Sequence, residues 1–567
     1  MAFDLVIRNG TVVDGSGGPS YRADVGVVDD TIVSIGRIRD KGKDEIDAEG
    51  HLVSPGFIEG HTHLDAQMFW DPLGTCSSWH GVTSVVMGNC GFTVAPCRES
   101  EKHLAIRSLE RAEDISGAAM EAGIRWRWET YPEYLDAIDS LPKGLNLSGY
   151  VGHSALRSYV MGDASFERKA TTDEVAAMQR ELRSALKAGA IGFSTSRSPN
   201  HRTSDDKPVA SVMADWSEVQ ELVGVMTELG SGVFELAQEQ HPDLDAAEAY
   251  CQRLLDLAVS SGRPMTFVIG TAPGFAMWRE QLKLLDRAVA AGARMYGQSH
   301  TREFLSMMNF ATNLPFEKLP QWAEFRKQPV PAQLSALRAD AALRGRLADE
   351  AMNFPYVNNA IGSEVRPPNW DAMRVFNSGL PPYQSVTDVA RARGVSPAQA
   401  VIDLSVESDF GQFFAQPFAN HDIENVLELL SHPQVVVGVS DSGAHVSQII
   451  DSSIPTFLLG YWVRTRQAIT WERAIRMLTY DAASLWGFAD RGLLREGFRA
   501  DLAVIDPATV APGLPHAVND LPAGAKRLVQ KGVGIKATTV NGRVFMRDNE
   551  HTGALAGRLL RASTAYT

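Results

Sequence analysis

Short apolar runs rich in β-branched residues open the chain: Leu5-Val6-Ile7, Val12-Val13, then Val25 to Val28 and Ile32 to Ile35. Turn signals at Asn9-Gly10 and from Gly15 to Gly18 separate them, so the first fifty or so residues read as a small antiparallel sheet. The same texture returns near the other end, at residues 501–506 and again at 538–544. Neither terminal β segment has a helix-rich partner of its own, so the two are expected to pair with each other.

The pattern between them is different. Apolar runs that end in polar or glycine residues lie at 53–58, 84–87, 145–151, 190–194, 232–236, 265–269, 294–297 and 435–439. Longer stretches alternate with them, and those at 172–188 and 244–261 place apolar residues three and four apart, as helices buried along one face do. Eight strands alternating with helices suit a parallel barrel. Residues 304–383 break the rhythm, being rich in Pro, Asn, Trp and Phe, and read as an insertion after strand seven that roofs the site. The expected organisation is therefore 1–53, 54–488 and 489–567, with the two outer pieces forming one domain.

Composition narrows the class of function. Hydrophobic residues make up 44% of the 567 and charged residues 22%, ordinary values for a globular enzyme. A net charge of -14 argues against a nucleic-acid or anionic-membrane surface and favours a small-molecule substrate. The four cysteines, Cys76, Cys90, Cys97 and Cys251, form no CxxC pair, which fits a reducing cytoplasm. No run of about 18 apolar residues suggests a membrane span, and the start of the chain carries no signal-peptide pattern. No segment identifies an interface for self-association, so a homo-oligomer stays open.

The strongest local signal is Pro55-Gly56-Phe57-Ile58-Glu59-Gly60-His61-Thr62-His63-Leu64-Asp65, an apolar strand ending in His-x-His. Alternate strand residues share a side, so His61 and His63 can aim together into a barrel whose active site lies at the strand C-termini. The apolar run 435–439 likewise delivers Asp441 to the rim, although Asp-Ser-Gly is also good turn chemistry.

Pro55 to Asp65 resembles the first-strand signature of the amidohydrolase superfamily. Gly88-Asn89-Cys90-Gly91-Phe92, Val151-Gly152-His153-Ser154-Ala155-Leu156-Arg157 and Ala190-Ile191-Gly192-Phe193-Ser194-Thr195-Ser196 are similar to barrel segments of the D-aminoacylase group, as are 497–504 and the tail 552–558. The resemblance implies an α/β fold: a (β/α)8 TIM-like barrel with a small β-sandwich domain formed from both chain termini. It also implies metal ligation by His61, His63 and Cys90, with Asp441 at the metal, and hydrolysis of a non-peptide amide bond. Zn²⁺ is the expected ion, Asp441 the proton acceptor and donor, and His153 the oxyanion partner, although His153 reads equally as a structural bridge between backbone groups.

One departure stands out. The group places further histidine ligands on strands five and six, which here read Val233-Phe234-Glu235-Leu236-Ala237-Gln238 and Thr266-Phe267-Val268-Ile269-Gly270-Thr271. One ion rather than two is therefore expected, with Glu235 as an additional ligand or a paired core acid. Arg197, His201 and Arg202 after strand four, and His300 after strand seven, are candidates for substrate binding. Arg197 and Arg202 suit a bidentate grip on a carboxylate, although a salt-bridged surface loop would look the same. An N-acyl-D-amino acid is the first substrate expectation. Another amide, a carbamate or a cyclic amide is the alternative, and a barrel that binds a ligand without turning it over is a rival of another class.

Overall fold

The computed structural model describes residues 2–271, 277–356 and 366–563. Parts of the expected insertion (357–365) and of the C-terminal piece (564–567) lie outside the described residues.

Eight parallel strands form the central sheet, and we number them β1 (Phe57–Glu59), β2 (Val82–Met87), β3 (Asn146–Gly152), β4 (Gly192–Ser196), β5 (Val233–Ala237), β6 (Met265–Val268), β7 (Met295–Ser299) and β8 (Val435–Val437). Each of the eight apolar runs contributes one of them. The barrel closes through short continuations of the first and last strands, His61–Thr62 pairing in parallel with Val439–Ser442. That closure brings His61 and Asp441 to the same seam.

Side chains alternate across each strand. On β5, Phe234 and Leu236 belong to the cluster shared with the outer helices, whereas Val233 joins Ile58, Val86, Tyr150, Ile191 and Val436 in a second cluster with Trp486 and Leu485. That second cluster fills the barrel interior and is sealed from below by the helix Tyr480–Trp486, whose Trp486 indole donates to the Tyr150 hydroxyl at 2.7 Å. Glu235, two residues beyond Val233, occupies the next inward layer towards the strand C-termini.

The run 53–58 proves to serve two units. Leu52–Pro55 lies in the β-domain, pairing antiparallel with Leu502–Ile505, and the barrel strand begins only at Phe57. Pro55 and Gly56 break the ladder between the two. The β-domain sheet has nine strands, and its buried positions, Leu5, Ile7, Val25, Val27, Val53, Leu502 and Val504, come from both ends of the chain. Phe3–Val12 runs antiparallel to Tyr21–Val28 but parallel to Gly42–Asp47 and Leu52–Pro55, so the sheet is mixed rather than wholly antiparallel.

The insertion is longer than the sequence reading. Phe304–Met308 pairs with Phe413–Ala419, which also pairs with Arg374–Phe376, so the unit opened after β7 closes only at Ala419 rather than at residue 383. Helices Pro320–Arg326, Val330–Ala339, Ala341–Asn353 and Pro397–Glu407 bury Trp322, Phe310, Leu337, Leu347 and Val401 in a separate core. Among the described residues, no helix is long and apolar enough to cross a membrane.

Candidate metal centre

The first two ligand candidates follow from strand geometry. His61 and His63 leave β1 on the same side, their rings 5.6 Å apart and edge to face, and both are buried. Gly60 precedes them because an added Cβ would fall 1.7 Å from the Trp486 ring. His63 is fixed by its own N–H, which donates to the Ser442 carbonyl at 2.7 Å.

Cys90 comes from a tight turn after β2. Its φ of 55° is left-handed, a conformation that costs a non-glycine residue roughly 1–3 kcal/mol and persists only where the surroundings enforce it. Several bonds do so. Cys90 N–H donates to Glu235 Oε2 at 2.8 Å, Gly91 N–H to Ser194 Oγ at 3.1 Å, and Gly88 N–H to Asp65 Oδ2 at 2.8 Å. Asp441 and His445 are also left-handed, with φ of 46° and 48°. Strain of this kind, gathered at three residues around one point, is a mark of a built site.

The ligand atoms of His61, His63 and Cys90 all lie within 4.8 Å of one another. Cys90 Sγ is 3.3 Å from His61 Nε2, and Asp441 Oδ1 is 3.3 Å from His61 Nε2 and 3.7 Å from His63 Nε2. Two other buried histidines hold their partners more closely: His80 meets Thr456 at 2.8 Å, and His153 meets Glu218 at 2.8 Å. Separations of 3.3 to 3.7 Å are long for N–H···O bonds but close to the spacing of ligand atoms around a tetrahedral ion with bonds of about 2.0–2.3 Å. Two imidazoles, a thiol and a carboxylate are a donor set suited to zinc.

The electrostatics point the same way. Asp65, Glu113 and Glu235 are buried beside the cluster, and none of them, nor Asp441, is salt-bridged to Lys or Arg among the described residues. Burial pushes the Glu235 carboxyl up to about 8 and that of Asp65 up to about 7. Burial also raises the Cys90 thiol well above its ordinary value. Asp441 is held low: burial would raise it, but the adjoining His63 and His61 outweigh that. Burial lowers His61 to about 4, while for His63 the Glu113 and Asp441 carboxylates overcome burial and raise it to about 9. A cation would stabilise the charged thiolate and carboxylates together.

The other expected site residues sort themselves by partner. His153 is turned away from the cluster's work: Nδ1 bonds Thr195 and Nε2 bonds Glu218, each at 2.8 Å, so neither ring nitrogen is left for an oxyanion. Arg157 donates twice to the same Glu218, making a buried triad that ties the helix after β3, His153–Met161, to the helix Trp216–Leu229. Arg197 is engaged by Glu239 and by the Ser211 and Ala214 carbonyls. Arg202 pairs with Asp206 on the partly exposed rim, and Arg111 donates to that same carboxylate at 2.6 Å. His201 bonds Ser196 through Nδ1 at 2.7 Å, and its ring lies tilted against Phe92 at 5.2 Å. Burial first, then the neighbouring His63 and His445, lower it to about 3. His300 is fully buried, with Nε2 lacking a hydrogen bond and 3.5 Å from Asp451.

Two residues at the cluster escaped the sequence reading. Glu113 caps the helix Lys102–Ala112 and reaches His63 Nε2 at 3.4 Å. His445 lies four residues past Asp441, and its Nε2 is 3.7 Å from Glu113. Glu113 belongs to no motif. His445 was visible at the end of the eighth-strand segment.

Comparison with known proteins gives the family. The amidohydrolase family profile matches residues 44–546. N-acyl-D-aspartate deacylase of Alcaligenes xylosoxydans xylosoxydans is 30% identical over 563 residues, 97% of this chain and 93% of the relative. The solved N-acyl-D-glutamate deacylase of Bordetella bronchiseptica, complexed with zinc and a phosphonate inhibitor, gives a TM-score of 0.66 at 25% identity, covering 99% of this chain and 100% of its own. A solved D-aminoacylase described as having a binuclear metal centre gives 0.65, also at 25% identity and with the same coverage. The chain therefore belongs to the amidohydrolase family and is a metal-dependent hydrolase of carbon–nitrogen bonds other than peptide bonds.

Proposed function

We propose that the chain deacylates N-acyl-D-amino acids, using one tightly held zinc ion bound by His61, His63, Cys90 and Asp441. The observation that carries this reading is the convergence of His61, His63 and Cys90 within 4.8 Å, with Asp441 Oδ1 3.3 Å from His61. Zinc in such a site lowers the pKa of a bound water to about 7 and polarises a carbonyl oxygen.

The chain's own residues supply the rest. Asp441 accepts the proton of the attacking water and delivers it to the leaving nitrogen, so one carboxylate serves both halves of the reaction. Glu235 orients the Cys90 turn through its 2.8 Å bond to the Cys90 N–H, and stands as a further donor through its other oxygen. The seal beneath, Trp486 on Tyr150, excludes water from the barrel interior.

A carboxylate-bearing substrate fits the rim. Arg111 and Arg202, the latter next to His201 in the chain, share the carboxylate of Asp206, so a guanidinium there can exchange Asp206 for a substrate carboxylate. We assign carboxylate recognition to Arg202 and His201, with His300 facing the acyl group from β7. Arg197, tied down on three sides, shapes the loop. The departures on β5 and β6, Glu235 and Thr266, favour a second reading in which the pocket takes another amide, a carbamate or a cyclic amide.

The test is a screen of zinc-loaded protein against N-acetyl-D- and N-acetyl-L-amino acids and small cyclic amides, with Asp441→Asn alongside. Release of free D-amino acid, lost in the variant, supports the proposal. Turnover confined to cyclic amides would replace it with the second reading.

A further inference from the structure

At the opposite end of the barrel from the metal centre, a cavity of about 290 Å³ lies between the N-terminal ends of β4 to β7, the end of the sealing helix Tyr480–Trp486 and the C-terminal segment. Three arginines from separate parts of the chain line it: Arg263 ahead of β6, Arg294 ahead of β7, and Arg561. The strands hold the first two side by side, since the Met265 N–H donates to the Arg294 carbonyl at 2.9 Å. Ser231, whose hydroxyl donates to the Ser563 carbonyl at 3.1 Å, ties the C-terminal segment to the same rim. Arg561 has its acid, pairing with Asp136 at 2.7 Å. Arg263 and Arg294 do not. Among the described residues neither guanidinium has a hydrogen bond or an ion pair, and the Arg263 Nε is buried without an acceptor. Burial, and then the Arg294 charge beside it, lower the Arg263 guanidinium from its ordinary value. The chain carries 68 Asp and Glu against 54 Lys and Arg, so carboxylates to pair with these two are not scarce.

We infer that this cavity is a binding site for a small phosphate monoester, its phosphate group gripped by the Arg263 and Arg294 guanidiniums. Two uncompensated cations call for two negative charges, and a phosphate group carries about −1.5 to −2 at neutral pH. Its oxygens also suit the planar fork of a guanidinium, which binds them in pairs. Trp486 and Phe488 form an apolar part of the wall, and the volume is close to that of pockets that hold small organic ligands. The apolar body of a monoester fills that part, where the free ion would leave it empty. The site does not depend on the metal centre, whose residues sit at the other ends of the strands.

The experiment is equilibrium dialysis of the full chain at low salt against phenyl phosphate and against inorganic phosphate, with melting curves alongside. Wild type should bind phenyl phosphate saturably, more tightly than inorganic phosphate, and should melt at a higher temperature in its presence. Arg263→Gln/Arg294→Gln should bind it at least roughly 10-fold more weakly, as loss of charge-assisted hydrogen bonds does. In phosphate-free buffer that variant should melt no lower than wild type, because removing two neighbouring like charges leaves no partner unpaired. Phosphate held by the metal would survive in the arginine variant and vanish in His61→Ala/His63→Ala; binding in the cavity does the reverse. Equal affinity for the two probes would overturn the monoester and leave the free ion as the ligand. No saturable binding by wild type, or binding unchanged in the arginine variant, would overturn the site.

Discussion

Glu235 holds the Cys90 N–H at 2.8 Å with one oxygen and keeps the other buried without a partner. A strand-five carboxylate thus stands behind a strand-two thiol, and the pair forms the closed end of the centre. Glu235→Gln preserves the acceptor for the N–H while removing the charge. The fold should survive, with metal affinity falling by roughly 10–100-fold, as loss of a supporting group does elsewhere. Competition with a chelator of known affinity measures it, and unchanged affinity would assign Glu235 to the barrel core alone.

The His153–Glu218–Arg157 triad should govern stability and not turnover. Glu218→Gln leaves Arg157 buried without its carboxylate, a loss of about 3 kcal/mol. Urea melts at neutral pH read this, and kcat measured where both proteins are folded should be unchanged. A large fall in kcat at full folding would return His153 to the reaction.

The same triad predicts a pH response. Burial would raise the Glu218 carboxyl, but His153 and Arg157 outweigh it and hold it at about 2, below its ordinary value of 4.5. A depressed folded value means that the stabilisation is complete above 4.5 and is lost as pH falls from there towards 2. The stability difference between wild type and Glu218→Gln should therefore narrow between pH 4.5 and pH 2. A constant difference across that window would contradict the pairing.

Gly60 couples the first strand to the barrel seal. Its Cβ would meet Trp486 at 1.7 Å, so Gly60→Ala must displace either the indole or the strand that carries His61. A loss of about 1–3 kcal/mol is expected from overpacking, together with weaker metal binding. Gly60→Ala combined with Trp486→Leu should recover metal binding in part, since the space reopens. Failure of the double variant to recover any would mean that the glycine serves the backbone instead.

Much of this was legible along the chain because it depends on local periodicity. Each barrel strand announced itself as an apolar run, and strand alternation put His61 and His63 on one side of a strand end, whereas the expectation of Cys90 and of Asp441 at a metal came from the family resemblance. What was not legible depends on distant contacts. Val53 and Phe57 look like one strand, yet Val53 pairs with Val504 and Phe57 with Val82. Phe413–Ala419 closes the insertion only because Phe304–Met308, more than a hundred residues earlier, offers it an edge. His153 looks the same as a ligand histidine until Glu218, 65 residues on, is seen against its ring. Glu113 ends an ordinary amphipathic helix, and only the fold turns it towards His63.

The central claim is a metal centre built on the first strand, and elemental analysis tests it most directly. Protein purified without added metal should carry tightly held zinc, about one ion per chain, resistant to dialysis. His61→Ala/His63→Ala, prepared identically, should carry none and should melt at a lower temperature, by the amount that a bound ligand stabilises a fold. Zinc retained in the double variant, or no metal in either protein even after reloading, would contradict the account.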